Sequence, residues 1–342
     1  MVALAFAGAG FVSAIHGLAA EALPDVHVVH VASRTARSAQ RRAKQTGGVA
    51  CTYEDLPGGA DGVVVATPPA LHRREAERAV AGGAVALVEA PLAATLDDAD
   101  RLVQLARDGH AVGYAENLLH SPTVVQALAA CRRIGTLTHL QVRFAQGRPD
   151  WGDHLRPSWG GGALFDLGVH AAALALLVAA PARVDSVEAD VHAGDGLDVD
   201  DEATVTLQFD SGLRAELRAT WRAAAPTWEA QAASASGAVR VELVPHPSVE
   251  VNGVPVVLPV PPLGLASSQL HHLGYVGQIE ALATDIEAAR APTPGPDFGR
   301  HVLEIVCAAY VSARTSRAEP LPFTGPRDRT PLELWRGAGG GR

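Results

Sequence analysis

The sequence predicts an α/β fold with an N-terminal doubly wound parallel sheet. A C-terminal α+β domain with a large, open, mainly antiparallel sheet is expected after it. Three observations predict this. Short apolar runs alternate with helical patterns through residues 1–120, the grammar of repeated βα units. Runs such as GVVVA and AVALVE are continuously apolar, as strands buried on both faces are. After Pro122 the pattern changes to period-two alternation, which marks antiparallel strands with one covered face.

Taken in order, Val2–Ala7 reads as a strand and Val12–Ala22 as a helix. Val26–Ala32 and Ala36–Thr46 repeat that pair, as do Gly62–Ala66 with Leu71–Gly82. Ala84–Glu89 and Leu96–Asp108 follow, then a last strand at Ala111–Ala115. A helix over Val124–Arg132 opens the second part. Its strands are THLQVRFAQ, ARVDSVEADVHA, EATVTLQFD and LRAELRATW, with hairpin turns in FDSGLR and EVNGVPV. Two late helices, Gly274–Arg290 and Phe298–Thr315, flank the stiff PTPGPD loop. The expected domains are 1–120 and 121–335, with a disordered tail over 336–342.

A chain of 342 residues suits two cores better than one. Hydrophobic residues at 48% and charged residues at 19% argue for packed globular structure. The net charge of −9 speaks against nucleic acid and against an anionic membrane surface as partners. Cys51, Cys131 and Cys307 lie far apart and form no CxxC. That excludes a cysteine metal cluster or disulfide framework and suits a reducing cytoplasm.

Gly8-Ala9-Gly10-Phe11-Val12-Ser13 follows a strand and opens a helix. The first glycine permits the tight turn, and the second lets a pyrophosphate approach the backbone at the positive helix end. Ser13 in the third place is small enough for close packing. The context is that of a dinucleotide-binding Rossmann turn. A NAD site usually carries a carboxylate after the second strand. Here VASRTARSAQRR offers Ser33, Arg34, Thr35 and Arg37 instead. Hydroxyls and guanidinium groups suit a 2′-phosphate, so NADP(H) is favoured and NAD(H) stays possible.

These segments together resemble the glucose–fructose oxidoreductase / inositol dehydrogenase / MocA family (Gfo/Idh/MocA) over nearly the whole chain. The landmarks are GAGFVSAIH, VATPPALH, AGGAVALVEAPLA, GGGALFDLGVH and the closing YVGQIEAL with GRHVLEIVCAAYVSA. The resemblance implies a Rossmann domain and an α+β domain whose sheet builds a homodimer or homotetramer. It implies a NAD(P)-dependent oxidoreductase of sugars, cyclitols and related small molecules. It also implies that Thr67, Pro68 and His72 lie over the nicotinamide ribose. Glu89-Ala90-Pro91 stands where the family has Glu-Lys-Pro, so Ala90 replaces the lysine that bonds the reacting oxygen. Asp166, Gly168 and His170 match a motif whose final aspartate is Ala173 here.

His170 is the candidate acid/base, since an imidazole titrates near neutrality; its alternative is to pack the helix start. Asp166 could orient substrate or His170, or cap that helix. Glu116 and Asn117 end the last parallel strand and could stand in for the lysine, or cap the next helix. Ala90, Asn117, Trp151, His154, Trp159 and His170 are the expected substrate contacts, with Trp151, His154 and Trp159 drawn from WGDHLRPSWGGG. Adjacent His271 and His272 point different ways, so no metal is expected. Without the lysine three classes stay open: a redox enzyme on C=O or C=N, a redox-neutral lyase or hydrolase with bound nicotinamide, and a non-catalytic ligand-binding protein.

Overall fold

The computed structural model describes residues 1–261 and 268–337. Of the expected tail, Arg336 is helical and Gly337 follows it; 338–342 lie outside the described residues. In chain order the elements are β1 (Val2–Ala7), α1 (Phe11–Glu21), β2 (Val26–Ala32), α2 (Ala36–Thr46), β3 (Val49–Cys51), β4 (Gly62–Val65), α3 (His72–Ala81), β5 (Val85–Glu89), α4 (Leu96–Arg107) and β6 (Val112–Ala115). Then come α5 (Pro122–Arg133), β7 (Leu137–Gly147), α6 (Ala163–Asp166), α7 (Gly168–Ala179), β8 (Val184–His192), β9 (Glu202–Phe209), β10 (Arg214–Thr220), β11 (Arg222–Ser234), β12 (Gly237–Val244), β13 (Ser248–Val251) and β14 (Val254–Pro255). The chain closes with α8 (Ser268–His272), α9 (Tyr275–Glu287), α10 (Pro296–Thr315), β15 (Glu319–Pro320) and α11 (Pro331–Arg336).

Two compact units result. The first holds Met1–His120 and Pro261–Arg300; the second holds Ser121–Val260 and His301–Arg342. The segment after Pro261, read from sequence as part of the second domain, thus groups with the first. Its apolar stripe explains why: Val276, Ile279 and Leu282 on α9 join the buried cluster of Leu4, Phe6 and Val28.

The first unit is a six-stranded parallel sheet in the order β3-β2-β1-β4-β5-β6, as the βα grammar predicts. The order reverses beside β1, which makes the switch point where such sheets bind ligands. At the exit of β1, Gly8 has φ +120, and a Cβ there would stand 2.2 Å from the Ala66 carbonyl oxygen. Only glycine allows the β1 and β4 exits to come so close.

The second unit carries a nine-stranded sheet in the order β14-β13-β12-β11-β7-β10-β9-β8-β15. It is antiparallel except where β10 runs parallel to β7. Burial alternates along β8, β9 and β10, so one face is covered, with α7 packed on β7 and β10. Helix α7 is apolar all round and deeply buried, as a core helix is. Among the described residues no single helix is long and apolar enough to cross a membrane. Strand β11, RAAAPTWEAQAAS, was not foreseen, nor was β12, GAVRVELV. Alanine is a poor strand former; β7 and β12 impose the extended state on either side of β11.

A buried carboxylate organises the glycine run. Asp200 accepts from the Gly162 N–H at 2.9 Å, the Leu164 N–H at 2.8 Å and the Tyr310 hydroxyl. A Cβ at Gly162 would lie 1.9 Å from the Asp200 carbonyl oxygen, so glycine is required for this approach. Burial raises the Asp200 carboxyl from 3.8 to about 6, against the pull of its three donors. The folded state therefore holds the proton more tightly than the unfolded chain. Stability present below pH 3.8 is lost as the pH rises to about 6. Relative to Asp200→Asn, the wild type should lose up to about 3 kcal/mol across that window. Denaturant unfolding of both proteins at stepped pH checks this; a pH-independent difference contradicts it.

Candidate active site

In the first unit, Gly10 caps α1, whose first turn has no acidic residue. A Cβ built on Gly10 meets nothing within 4 Å, so open space borders the backbone where Phe11 and Val12 begin the helix. The Gly10 carbonyl is held from two sides. Ser13 Oγ donates to it at 2.8 Å, and Arg42 Nη2 reaches it from α2 at 2.8 Å. Arg42 is buried, and burial followed by Arg41 lowers its pKa. The turn is thus pre-shaped to receive a phosphate at the positive end of α1.

At the end of β2, Ser33 is half-buried while Arg34, Thr35 and Arg37 are exposed. Thr35 also has local work: its Oγ1 accepts the Ser38 N–H at 3.2 Å and caps α2. No carboxylate stands in the first turn of α2, and Arg34, Arg37 and Arg41 share this exposed stretch.

The β4 and β5 exits are braced. His72, expected among the cofactor contacts, is buried, with Nε2 2.7 Å from the Thr67 carbonyl and Nδ1 3.0 Å from that of Pro91. It ties the Thr67-Pro68 loop to the chain after β5. Burial lowers its pKa, outweighing the carbonyls that raise it. Thr67 Oγ1 is buried without a partner, as is the hydroxyl of Tyr114. The Tyr114 pKa is pushed well up by burial, then by Glu116 and Glu89.

Glu89 pairs with His16: Oε1 contacts His16 Nε2, and Oε2 accepts the Ala90 N–H at 3.1 Å. His16 is fully buried on α1, edge-on to Tyr275 at 5.8 Å. Ala90 is half-buried beside this pair. Glu116 is fully buried, with Leu118 N–H 3.4 Å from its Oε1. Asn117 is buried too and donates to the Leu273 carbonyl at 2.7 Å. Within this unit both residues tie the turn after β6 to its surroundings.

In the second unit, Asp166 ends α6 and His170 lies in the first turn of α7. Asp166 Oδ2 accepts the Trp221 indole N–H at 3.0 Å, and Oδ1 faces His154 Nε2 at 3.7 Å. His154 lies between Trp159 and Trp151, with ring centroids at 4.2 and 6.4 Å. His170 faces Trp228 at 5.9 Å, and Trp228 stacks on Phe144 at 4.6 Å. Ala173 is fully buried and brings no polar group. Among the described residues no group of acids, histidines or cysteines gathers to hold a metal.

The structure sets Asp166 beside His154 and Trp159, whereas the sequence linked Asp166 to His170 and put His154 and Trp159 in the loop before the glycine run. Sequence reasoning passed over His16, Arg42, Asp200, Trp221 and Trp228. A usable signal existed for His16: a buried strand ending in a carboxylate needs a partner, and His16 lies on the same inner face of α1 as Ser13.

Two family models match in tandem. Residues 2–116 match the oxidoreductase family NAD-binding Rossmann fold, and residues 123–247 match the GFO/IDH/MocA C-terminal domain. The chain belongs to the Gfo/Idh/MocA family. One relative within reach of this Gfo/Idh/MocA chain is the dTDP-3,4-didehydro-2,6-dideoxy-alpha-D-glucose 3-reductase of Streptomyces violaceoruber. It is 34% identical over 59% of this chain and 63% of its own length. The 1,5-anhydro-D-fructose reductase of Ensifer adhaerens is 32% identical over 46% of this chain and 49% of its own length. The chain thus spans roughly half to two-thirds of these curated relatives. Among solved structures, GenD2 from gentamicin A biosynthesis in complex with NAD has a TM-score of 0.82 at 25% identity, covering 94% of this chain and 96% of its own. Levoglucosan dehydrogenase in complex with NADH shares the fold, with a TM-score of 0.83 at 19% identity over 94% of this chain and 99% of that one.

The His16–Glu89 pair gives a direct test. His16→Ala leaves a buried carboxylate without its partner, a change that costs about 3–5 kcal/mol. Denaturant unfolding should show a loss of that size; a variant as stable as the parent shows that the pair does not hold the β5 exit.

Proposed function

We propose that this chain is an NADP(H)-dependent oxidoreductase. It moves a hydride to or from the C=O or C=N carbon of a sugar, cyclitol or related small metabolite. One observation carries the reading: an open glycine turn at the N-terminus of α1, next to a β2 end that offers Arg34 and Ser33 and no carboxylate. Family membership and the sugar reductases among the relatives support it. The working protein is a cytoplasmic homodimer or homotetramer joined through the nine-stranded sheet.

When bound, the nicotinamide supplies or accepts the hydride. The residues do the rest. Gly8, Gly10, Phe11 and Val12 receive the pyrophosphate, and Arg34 with Ser33, Thr35 and Arg37 holds the 2′-phosphate. Thr67 and Pro68, braced by His72, bound the ribose side. Glu89, locked by His16, fixes the backbone at Ala90. Ala90 takes the place of the family lysine and so cannot donate to the reacting oxygen. The proton must move through the histidine and carboxylate groups, among which His170, Asp166 and Glu116 are the family-matched or nearby candidates.

Reduced-cofactor titration by fluorescence tests the phosphate assignment. NADPH should bind at least tenfold more tightly than NADH, about 1.4 kcal/mol. Arg34→Asp should erase that preference. Equal affinities, or an unchanged NADPH affinity in Arg34→Asp, contradict the assignment.

Position 90 has its own test. Ala90→Lys should melt near the parent, because a lysine at a cleft edge keeps its charge solvated. With a panel of sugars and cyclitols it should either lower native turnover or add weak alcohol oxidation. Unchanged turnover and range would show that position 90 does not face the reaction.

A further inference from the structure

The stretch from Val26 to Tyr53 holds Arg34, Arg37, Arg41, Arg42 and Lys44 and no aspartate or glutamate, in a chain of net charge −9. Four of these cations are exposed, so water solvates them. Arg42 differs: it is 8% exposed. Its hydrogen bonds go to neutral oxygens. Nη1 donates to Gln45 Oε1 at 2.6 Å, and Nη2 donates to the Gly10 carbonyl at 2.8 Å. Its Nε is buried without a partner. Burial lowers its pKa, and Arg41, of the same sign, lowers it further. Among the described residues no carboxylate pairs with it. A guanidinium stays charged at neutral pH. A buried cation without an anion is costly, and such groups gather at functional sites.

Its bond to Gly10 says where the anion belongs. The Gly10 carbonyl and the Phe11 N–H are two ends of one peptide unit. That peptide is trans, so its oxygen and its hydrogen point to opposite sides. Arg42 and the Ser13 hydroxyl both donate to the oxygen. A cation on the oxygen polarises the unit and makes the N–H on the far side a stronger donor. Phe11 opens α1, at the positive helix end, where the first N–H groups have no helix carbonyl to bond. A Cβ on Gly10 would meet nothing within 4 Å, so there is room beside this peptide. A charge anchored on α2 thus reaches the glycine turn through a backbone amide. All of these residues belong to the first unit.

We infer that Arg42 is a positioning residue for a nucleotide diphosphate at the glycine turn, its charge relayed through the Gly10–Phe11 peptide while it touches no ligand atom. This rests on dinucleotide binding at that turn, and not on the preference for NADP(H) over NAD(H). Both cofactors carry the diphosphate, so Arg42 serves them alike, whereas Arg34 at the β2 end tells them apart. Without a diphosphate the buried charge burdens the fold. With one it is matched. Stability and binding therefore pull position 42 in opposite directions, which a residue that only ties α2 to the turn would not do.

The test reads melting and binding on the parent, Arg42→Met and Arg42→Lys. Methionine keeps much of the volume and removes the charge, so cofactor-free Arg42→Met should melt at or above the parent. Its Kd for NADPH and its Kd for NADH should each rise about tenfold or more, and the two ratios should agree within about twofold. ADP or inorganic pyrophosphate alone should raise the melting temperature of the parent, and that of Arg42→Met by less than half as much. Arg42→Lys keeps the charge and should recover most of the affinity. Cofactor-free Arg42→Met melting well below the parent, or binding both cofactors as the parent does, marks a structural tie and overturns the inference. A loss confined to NADPH assigns the charge to the 2′-phosphate and overturns it as well. These results leave dinucleotide binding intact; a parent that binds neither cofactor overturns both.

Discussion

The buried hydrogen bond between His16 and Glu89 joins the glycine turn to the end of β5. His16 sits on the helix that the glycine turn opens, and Glu89 is the last residue of its strand. Because the carboxylate also accepts the Ala90 N–H, the backbone that follows is set by a histidine on another element. His72 adds a second brace from α3, fastening Thr67 to Pro91. The two exits that frame the switch point are therefore fixed by buried side chains, His16 through Nε2 alone, since its Nδ1 is buried without a partner.

The second unit solves an equivalent problem with Asp200. Its carboxylate satisfies two backbone donors at the start of α6, a short helix that has no side-chain cap of its own. Two tryptophans then carry the neighbouring polar groups: Trp221, between β10 and β11, holds Asp166, and Trp228, within β11, lies against His170. Both units use buried ionisable groups to fix a turn: His16, Glu89 and His72 in the first, Asp200 in the second.

Much of this was legible in the chain. The parallel sheet followed from continuous apolar runs, and the alternating strands β8 to β10 from their period. Gly8 and Gly10 could be placed because the turn follows a strand and opens a helix. What could not be read was any pairing across distance. Nothing local to Asp200 distinguishes it from Asp198 or Asp201, yet its backbone comes nearest to Gly162. The strand β11 was hidden by alanines whose extended state is imposed by neighbours. Glu116 and Asn117 read as polar residues at an open sheet edge; burial makes them ties to the turn after β6 and to the α8–α9 junction.

The central claim is that this chain carries out hydride transfer with alanine where its family has lysine. Transfer of label from NADPH deuterated at the reactive nicotinamide carbon tests it most directly. Incubated with a panel of keto and imino sugars, the protein should place deuterium on the former C=O or C=N carbon of at least one product, detected by mass spectrometry. Tight NADPH binding with no deuterium in any product would contradict the claim and leave a protein that holds the cofactor without using it.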